Sequence, residues 1–429
     1  MADQSLPLDL NLDTHPPTLA AARARIAAVR PSAYARTRNA LDGAVSGLSP
    51  YLTHGFVSLP EVLAGVNAQQ PMDVQHKWVY ELGWRAFYQH VWQRRGEGIT
   101  QSLHAGPLPD AAYASTLPAD IREGRTGVPV IDQAVRTLYT TGLLHNHARM
   151  WLASYVVHVR QVHWRAGADW LYGHLLDGDL ASNHLSWQWV AGTGSSKPYL
   201  FNAQNVARFA PSPWHSPGSV IDTSYEALDH LARELRAPAP NRLAAAGPQE
   251  PTLLTQAPAD LGATAPDAAA VADRDVWLVH PWALGELPAD LPADTLVIGL
   301  WVADFHRAWP WSLQRWRFVG QRMAALAALY WQGDAAAMGA ALQGARSVRS
   351  IGDMHLAPWL TQWADCRNAP ALFAPTERAF EAFTPWWKHS TRGMATAADL
   401  LAAVAFTPSF SVSASAPATA STLASAPAP

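Results

Sequence analysis

At 429 residues the chain is long enough for two domains with full hydrophobic cores, and 49% hydrophobic against 15% charged residues is the composition of a folded globular protein. A single cysteine, Cys366, excludes a disulfide framework and any metal cluster held by several thiolates. The net charge of -3 hides a local surplus of 17 Lys and Arg over 12 Asp and Glu between residues 21 and 210, which is weak evidence for a polyanionic partner.

Residues 1–17 read as an N-terminal arm without the apolar core of a signal peptide. No apolar run approaches membrane-spanning length, so a reducing, cytoplasmic setting is the default. Residues 18–235 read as helical. Ser58, Pro60 and Glu61 have capping-box spacing with Pro inside the first turn. Asp73 opens a Pro-free run through Arg95. Pro129 to Tyr139 carries apolar residues at helical spacing and stops at Gly142. The pattern repeats from His145 to Arg160. Residues 236–273 are rich in Ala and Pro and read as a linker. From 274 to 407 the texture changes. Short apolar runs at Val276–His280, Thr295–Val302, Ala328–Trp331, Ser347–Ile351 and Ala371–Phe373 alternate with helical stretches such as Ser312–Ala328. That alternation predicts a small α/β domain with a parallel sheet. Residues 408–429 are low in complexity and read as a disordered tail.

The Trp content, 20 residues, is high. Ordinary core packing explains most of them; a few could stack on bases or carry electrons. Several polar residues recur at helical spacing within core-like runs. Glu81, Trp84, Arg85 and Tyr88 share one helix face, as do Asn146, Arg149 and Met150. Asp177 and Asp179 fall on a turn, with Asn183 and Trp187 one helical turn apart. His145 and His147 lack a partner at a recognised zinc spacing, so no metal is expected. The run Gly192 to Lys197 resembles a phosphate loop, but Pro198 stands where Ser or Thr is required.

Four segments, SGLSPYLTHG, WVYELGWRAFYQHV, GVPVIDQAVRTLYTTGLLHNHARMWLASYVV and DGDLASNHLSWQWVAGTG, resemble the flavin-binding domain of the DNA photolyase/cryptochrome family, in that family's order and spacing. The resemblance covers roughly residues 30–210. It implies FAD as cofactor, with flavin contacts at Tyr34, Ser46, Gly47, Leu48, Ser49, Trp78, Arg85, Arg149, Asp177, Asp179 and Asn183. The Ser46–Ser49 turn would hold the flavin phosphates through backbone N–H groups and hydroxyls. Val45 replaces a Thr frequent in the family. Arg149 would pair with Asp177. Asn183 would lie beside flavin N5, where an amide can both donate and accept. Trp187 and Trp164 match two members of the family's electron-transfer chain. Tyr113 falls near the outermost position in place of a third Trp, with Trp92 an alternative route. Glu81, Trp84, Asn146, Met150 and Trp189 match the pocket that receives a flipped-out pyrimidine dimer.

The same resemblance implies the fold class: an all-helical FAD-binding domain followed by a Rossmann-like α/β domain. This reverses the family's usual order. The segment Ala382–Lys388 resembles the close of the family's antenna domain, and Trp311–Arg317 echoes its helix starts. The opening motif of that domain is not recognisable, which leaves an antenna chromophore doubtful. The implied activity is light-driven repair of cyclobutane pyrimidine dimers in UV-damaged DNA, by a lyase that is monomeric by default. The alternative is a cryptochrome-like blue-light receptor without repair.

Overall fold

The computed structural model describes residues 14–235 and 247–405. The helical part comprises α1 (Leu19–Ala28), α2 (Pro31–Thr37), α3 (Ser49–Thr53), α4 (Leu59–Gln69), α5 (Lys77–Arg95), α6 (Ala119–Arg122), α7 (Pro129–Thr141), α8 (Asn146–Ser154), α9 (Trp164–His174), α10 (Leu180–Ala191), α11 (Ala203–Phe209) and α12 (Tyr225–Arg233). After α13 (Ala268–Val271) come β1 (Asp275–Val279), β2 (Leu296–Val302), α14 (Ala303–Ala308), α15 (Leu313–Ala324), β3 (Leu329–Gly333), α16 (Ala335–Leu342), β4 (Ser347–Ile351), α17 (Ala357–Trp363) and β5 (Asp365–Arg367). The segments α18 (Phe383–Ser390) and α19 (Ala397–Ala405) follow. None of the described helices is long and apolar enough to cross a membrane.

Local chemistry sets the helix ends. Ser58 and Glu61 form the reciprocal capping box, with the Ser58 N–H donating to the Glu61 carboxylate at 2.8 Å. Helix α5 starts at Lys77, later than Asp73, because the Asp73 carboxylate accepts from the Gln75 N–H and folds a turn first. The His76 ring then caps the helix by accepting from the Trp78 N–H at 3.2 Å. His145 and His163 cap α8 and α9 in the same way. The single helix expected from His145 to Arg160 is α8 followed by one wide π-type turn at Tyr155–Val159.

The sheet is wholly parallel, in the order β3-β2-β1-β4-β5, with Val276 of β1 opposite Leu296 of β2 and Val348 of β4. Its central strand is almost entirely buried, as a parallel strand covered on both faces must be. The fifth strand corrects the expectation. Ala371–Phe373 has no strand; β5 is Asp365–Arg367. A three-residue edge strand needs no apolar run, whereas Leu372 and Phe373 are buried by side-chain packing alone. The expected helix Ser312–Ala328 is capped by Ser312 and ends at Ala324.

The described part of the expected linker, residues 247–273, is held in place. Glu250 pairs with Arg122 and accepts from the Trp170 indole at 3.0 Å. Leu254 and Trp311 exchange backbone hydrogen bonds in both directions, at 2.8 and 3.0 Å. The expected disordered tail, and all but the last few residues of the N-terminal arm, lie outside the described residues.

Two apolar cores result. One joins α1, α4, α5 and the inner face of α9–α10 to the whole sheet; the other is built from α7, α8 and the outer face of α9–α10. The loop between α9 and α10, residues 175–179, runs along the seam between them.

Candidate functional site

The seam carries two buried carboxylates, Asp177 and Asp179, each only 5% exposed. Isolated, such charges would be costly to bury, so the groups around them decide what the site is. Arg149 of α8 donates through one nitrogen to both Asp177 oxygens at 2.8 Å, while its Nε holds the Leu144 carbonyl at 2.7 Å. Ser49, the first residue of α3, lies beside the same carboxylate and favours its ionised form. Burial opposes ionisation of Asp177, but Arg149, Ser49 and Arg85 outweigh it and hold its pKa below the ordinary value. Asp179 caps α10 by accepting from the Ser182 N–H at 2.7 Å, and Gln89 of α5 donates to it at 2.9 Å. Burial again opposes ionisation, and Arg85, His355 and Ser182 again reverse it. Arg85 is fixed by a 2.6 Å hydrogen bond to the Thr53 hydroxyl, which in turn donates to the Asp177 carbonyl at 3.1 Å. These contacts make one network of α3, α5, α8 and α10 around a single turn.

Its flanks hold the remaining predicted flavin contacts. Tyr34 of α2 meets Trp78 of α5 edge-to-face, with ring centroids 4.9 Å apart. Trp78 is 3% exposed and its indole N–H is buried with no hydrogen-bond partner, one of a class of groups that native proteins rarely leave. Ser46 accepts from the Leu48 N–H at 3.3 Å and bends the chain ahead of α3. Gly47 has φ +61°, and a Cβ there would run into the Arg25 guanidinium and, at 3.2 Å, the His15 ring. Burial and the neighbouring Arg25 push His15 down to about 4, so it is neutral at neutral pH. Asn183, on the first turn of α10, donates to the Ala168 carbonyl at 2.8 Å.

The predicted electron carriers lie along α9 and α10. Trp187 is buried against Gly167, where a Cβ would collide with its ring. Trp164 is buried and donates to Ser102 at 3.0 Å. Tyr113 is one ring further away: it meets His163 at 6.3 Å, and His163 meets Trp164 at 5.6 Å. Trp92 takes another direction, edge-on to His355 at 4.7 Å, while His355 stacks on Trp282 at 4.2 Å and 8°.

The predicted lesion pocket is less collected. Asn146 is exposed and contacts the Met150 sulfur at 3.7 Å. Glu81 is ion-paired with Lys77 at 2.9 Å and Arg38 at 3.4 Å. Trp189 is 36% exposed and packs on Tyr199. Trp84 lies flat on Phe383 of α18, 4.0 Å away and 11° from parallel. Gly83 admits this helix, because a Cβ there would strike Trp387.

Sequence reasoning missed Thr53, Gln89, His15, Arg25 and Phe383. Thr53 and Gln89 stand four residues after Ser49 and Arg85, so helical spacing could have found them. The other three reach the site from elsewhere in the chain and have no local signal.

Residues 78–217 match the family described as the FAD binding domain of DNA photolyase. The deoxyribodipyrimidine photo-lyase of Escherichia coli strain K12 is 35% identical over 173 residues, 38% of this chain and 36% of that protein. The Thermus thermophilus protein of the same name is 37% identical over 191 residues, 42% of this chain and 44% of its own. The chain thus spans less than half the length of these curated relatives. Among solved structures, the Synechocystis sp. PCC6803 cryptochrome matches with 28% identity and a TM-score of 0.40, covering 44% of this chain and 43% of that one. The family model places this likeness within the helical part of the chain.

Proposed function

We propose that the chain is a FAD-dependent, blue-light-driven photolyase-like enzyme acting on cyclobutane pyrimidine dimers. The observation that carries this reading is the seam network. Two buried carboxylates held ionised by Arg149 and Arg85, together with an unpartnered buried indole N–H, form a donor and acceptor set suited to a flavin dinucleotide. A bound, reduced FAD would supply light-driven electron donation to the dimer.

The chain's own residues supply position and electrostatics. Arg149 and Arg85 keep the Asp177 and Asp179 side chains ionised as acceptors. The turn at Gly47, with Arg25 and His15 beside it, offers backbone N–H groups and a cation to a pyrophosphate. Asn183 presents an amide at the first turn of α10. Trp187 and Trp164 offer oxidisable rings towards the surface. Glu81, Trp84, Asn146, Met150 and Trp189 would receive the flipped lesion, with Trp84 as an apolar wall.

Two observations favour the sensor reading. Phe383 covers a face of Trp84, and Glu81 is already engaged by two cations. A lesion would have to compete with both contacts. The α/β domain has a scaffolding role in either reading. The crevice beyond its strand ends, where such sheets bind ligands, is filled by Trp282, His355 and Trp92.

A light-dependent repair assay tests the proposal. Chemically reduced protein is mixed with an oligonucleotide carrying one cyclobutane dimer, illuminated or dark. Repair in light only, lost in Glu81→Ala, is expected. Flavin-loaded, photoreducible protein that never repairs would transfer the assignment to the sensor.

A further inference from the structure

Arg315, on the first turn of α15, is a fully buried cation that the proposed chemistry does not use. It belongs to the α/β domain but projects into the helical one. Its guanidinium donates to the Gly178 carbonyl and, at 3.4 Å, to the Tyr172 carbonyl. Its Cζ lies 3.9 Å from the ring centroid of Trp311 and 4.9 Å from that of Tyr172. It therefore holds the middle residue of the Asp177–Gly178–Asp179 turn from behind, while Arg149 holds the Asp177 side chain at 2.8 Å. Gly178 is required for this approach, since a Cβ would lie 2.6 Å from the guanidinium.

Burying a guanidinium completely is expensive, and breaking such an arrangement costs more than an exposed pair would. Apolar docking of α15 would need no charge here. The neighbouring Gln314 already ties α15 to the helical domain, through the Tyr139 carbonyl at 3.0 Å and the Thr140 carbonyl at 3.2 Å. A charge placed on the turn itself, and attracted to both of its carboxylates, answers to a different need.

We infer that Arg315 is a positioning residue by which the α/β domain completes the flavin site, clamping the acidic turn so that Asp177 and Asp179 present their side chains in fixed directions. The second of the readouts below rests on the flavin reading; the first does not.

The test compares the full-length chain with Arg315→Met, Arg315→Lys and the docking control Gln314→Ala. Hydrogen–deuterium exchange is followed on peptides covering residues 175–186, and FAD affinity by equilibrium dialysis. Arg315→Met is expected to speed exchange at the turn and weaken FAD, each by about tenfold, the loss attached to one charge-assisted hydrogen bond. Arg315→Lys, with a point charge instead of a fork, is expected to fall between it and the wild type. Gln314→Ala should leave the turn protected. A turn as protected in Arg315→Met as in wild type overturns the clamp, as does equal loosening by Gln314→Ala. Should Arg315→Met fail to fold, Arg315→Lys decides on the same criterion. Wild-type protein without FAD affinity would sink the flavin reading alone, and the exchange comparison would still decide the clamp.

Discussion

The acidic turn and the crevice at the end of the sheet are neighbours, and they are built in opposite ways. The turn keeps charge in a buried place and surrounds it with guanidinium groups and hydroxyls. The crevice is closed by flat apolar contact, with His355 stacked on Trp282 and met edge-on by Trp92. A region that retains buried charge carries a desolvation cost, which is expected where a polar ligand is held. A region filled with rings gains stability and gives up the space for a ligand. Substitutions on the two sides should therefore have separable effects.

The largest effect concerns the electron route. Trp187→Phe is expected to abolish photoreduction of oxidised flavin, with Trp92→Phe close to wild type in the same transient-absorption experiment. The reverse pattern would move the route into the crevice. Next comes Trp282→Ala, which removes a nearly fully buried indole and should cost about 3–5 kcal/mol of stability. The denaturant midpoint should fall while the flavin content of the folded fraction stays constant. Arg149→Ala should do the opposite. Its guanidinium is partly exposed, so we expect about 3 kcal/mol, the lower end for a broken buried pair, together with loss of FAD.

Acid should act on the turn. Asp177 and Asp179 have folded pKa values below the ordinary carboxylate value. Their contribution to stability is then complete above about pH 4 and lost as pH falls through the lower folded values. Urea midpoints measured from pH 7 downward should fall less steeply in Asp179→Asn than in wild type. The smallest effect is Ser58→Ala, far from both regions, at about 1 kcal/mol for a lost helix cap and with no change in flavin content.

Sequence and structure agree best where local rules suffice. The Ser58 capping box, the Gly142 helix stop and four of the five strands follow from spacing and apolar runs. The Arg149–Asp177 pair, expected from the resemblance, is present with both carboxylate oxygens engaged. What the sequence did not reveal is non-local. A His ring caps α5, α8 and α9, a role that capping preferences assign to Ser, Thr, Asp and Asn. β5 is three residues of mixed polarity defined only by its neighbour. Phe383 on Trp84 and Arg315 behind Gly178 join residues more than a hundred positions apart, and no periodicity reports such contacts.

Flavin content tests the central claim most directly. FAD is released by denaturation from wild-type protein and from folded Asp177→Ala, after both have been incubated with excess cofactor and washed. The account predicts close to equimolar FAD in the wild type and little in the variant. A wild-type chain that retains no FAD, or a folded variant that retains all of it, would contradict the assignment of the seam as the flavin site.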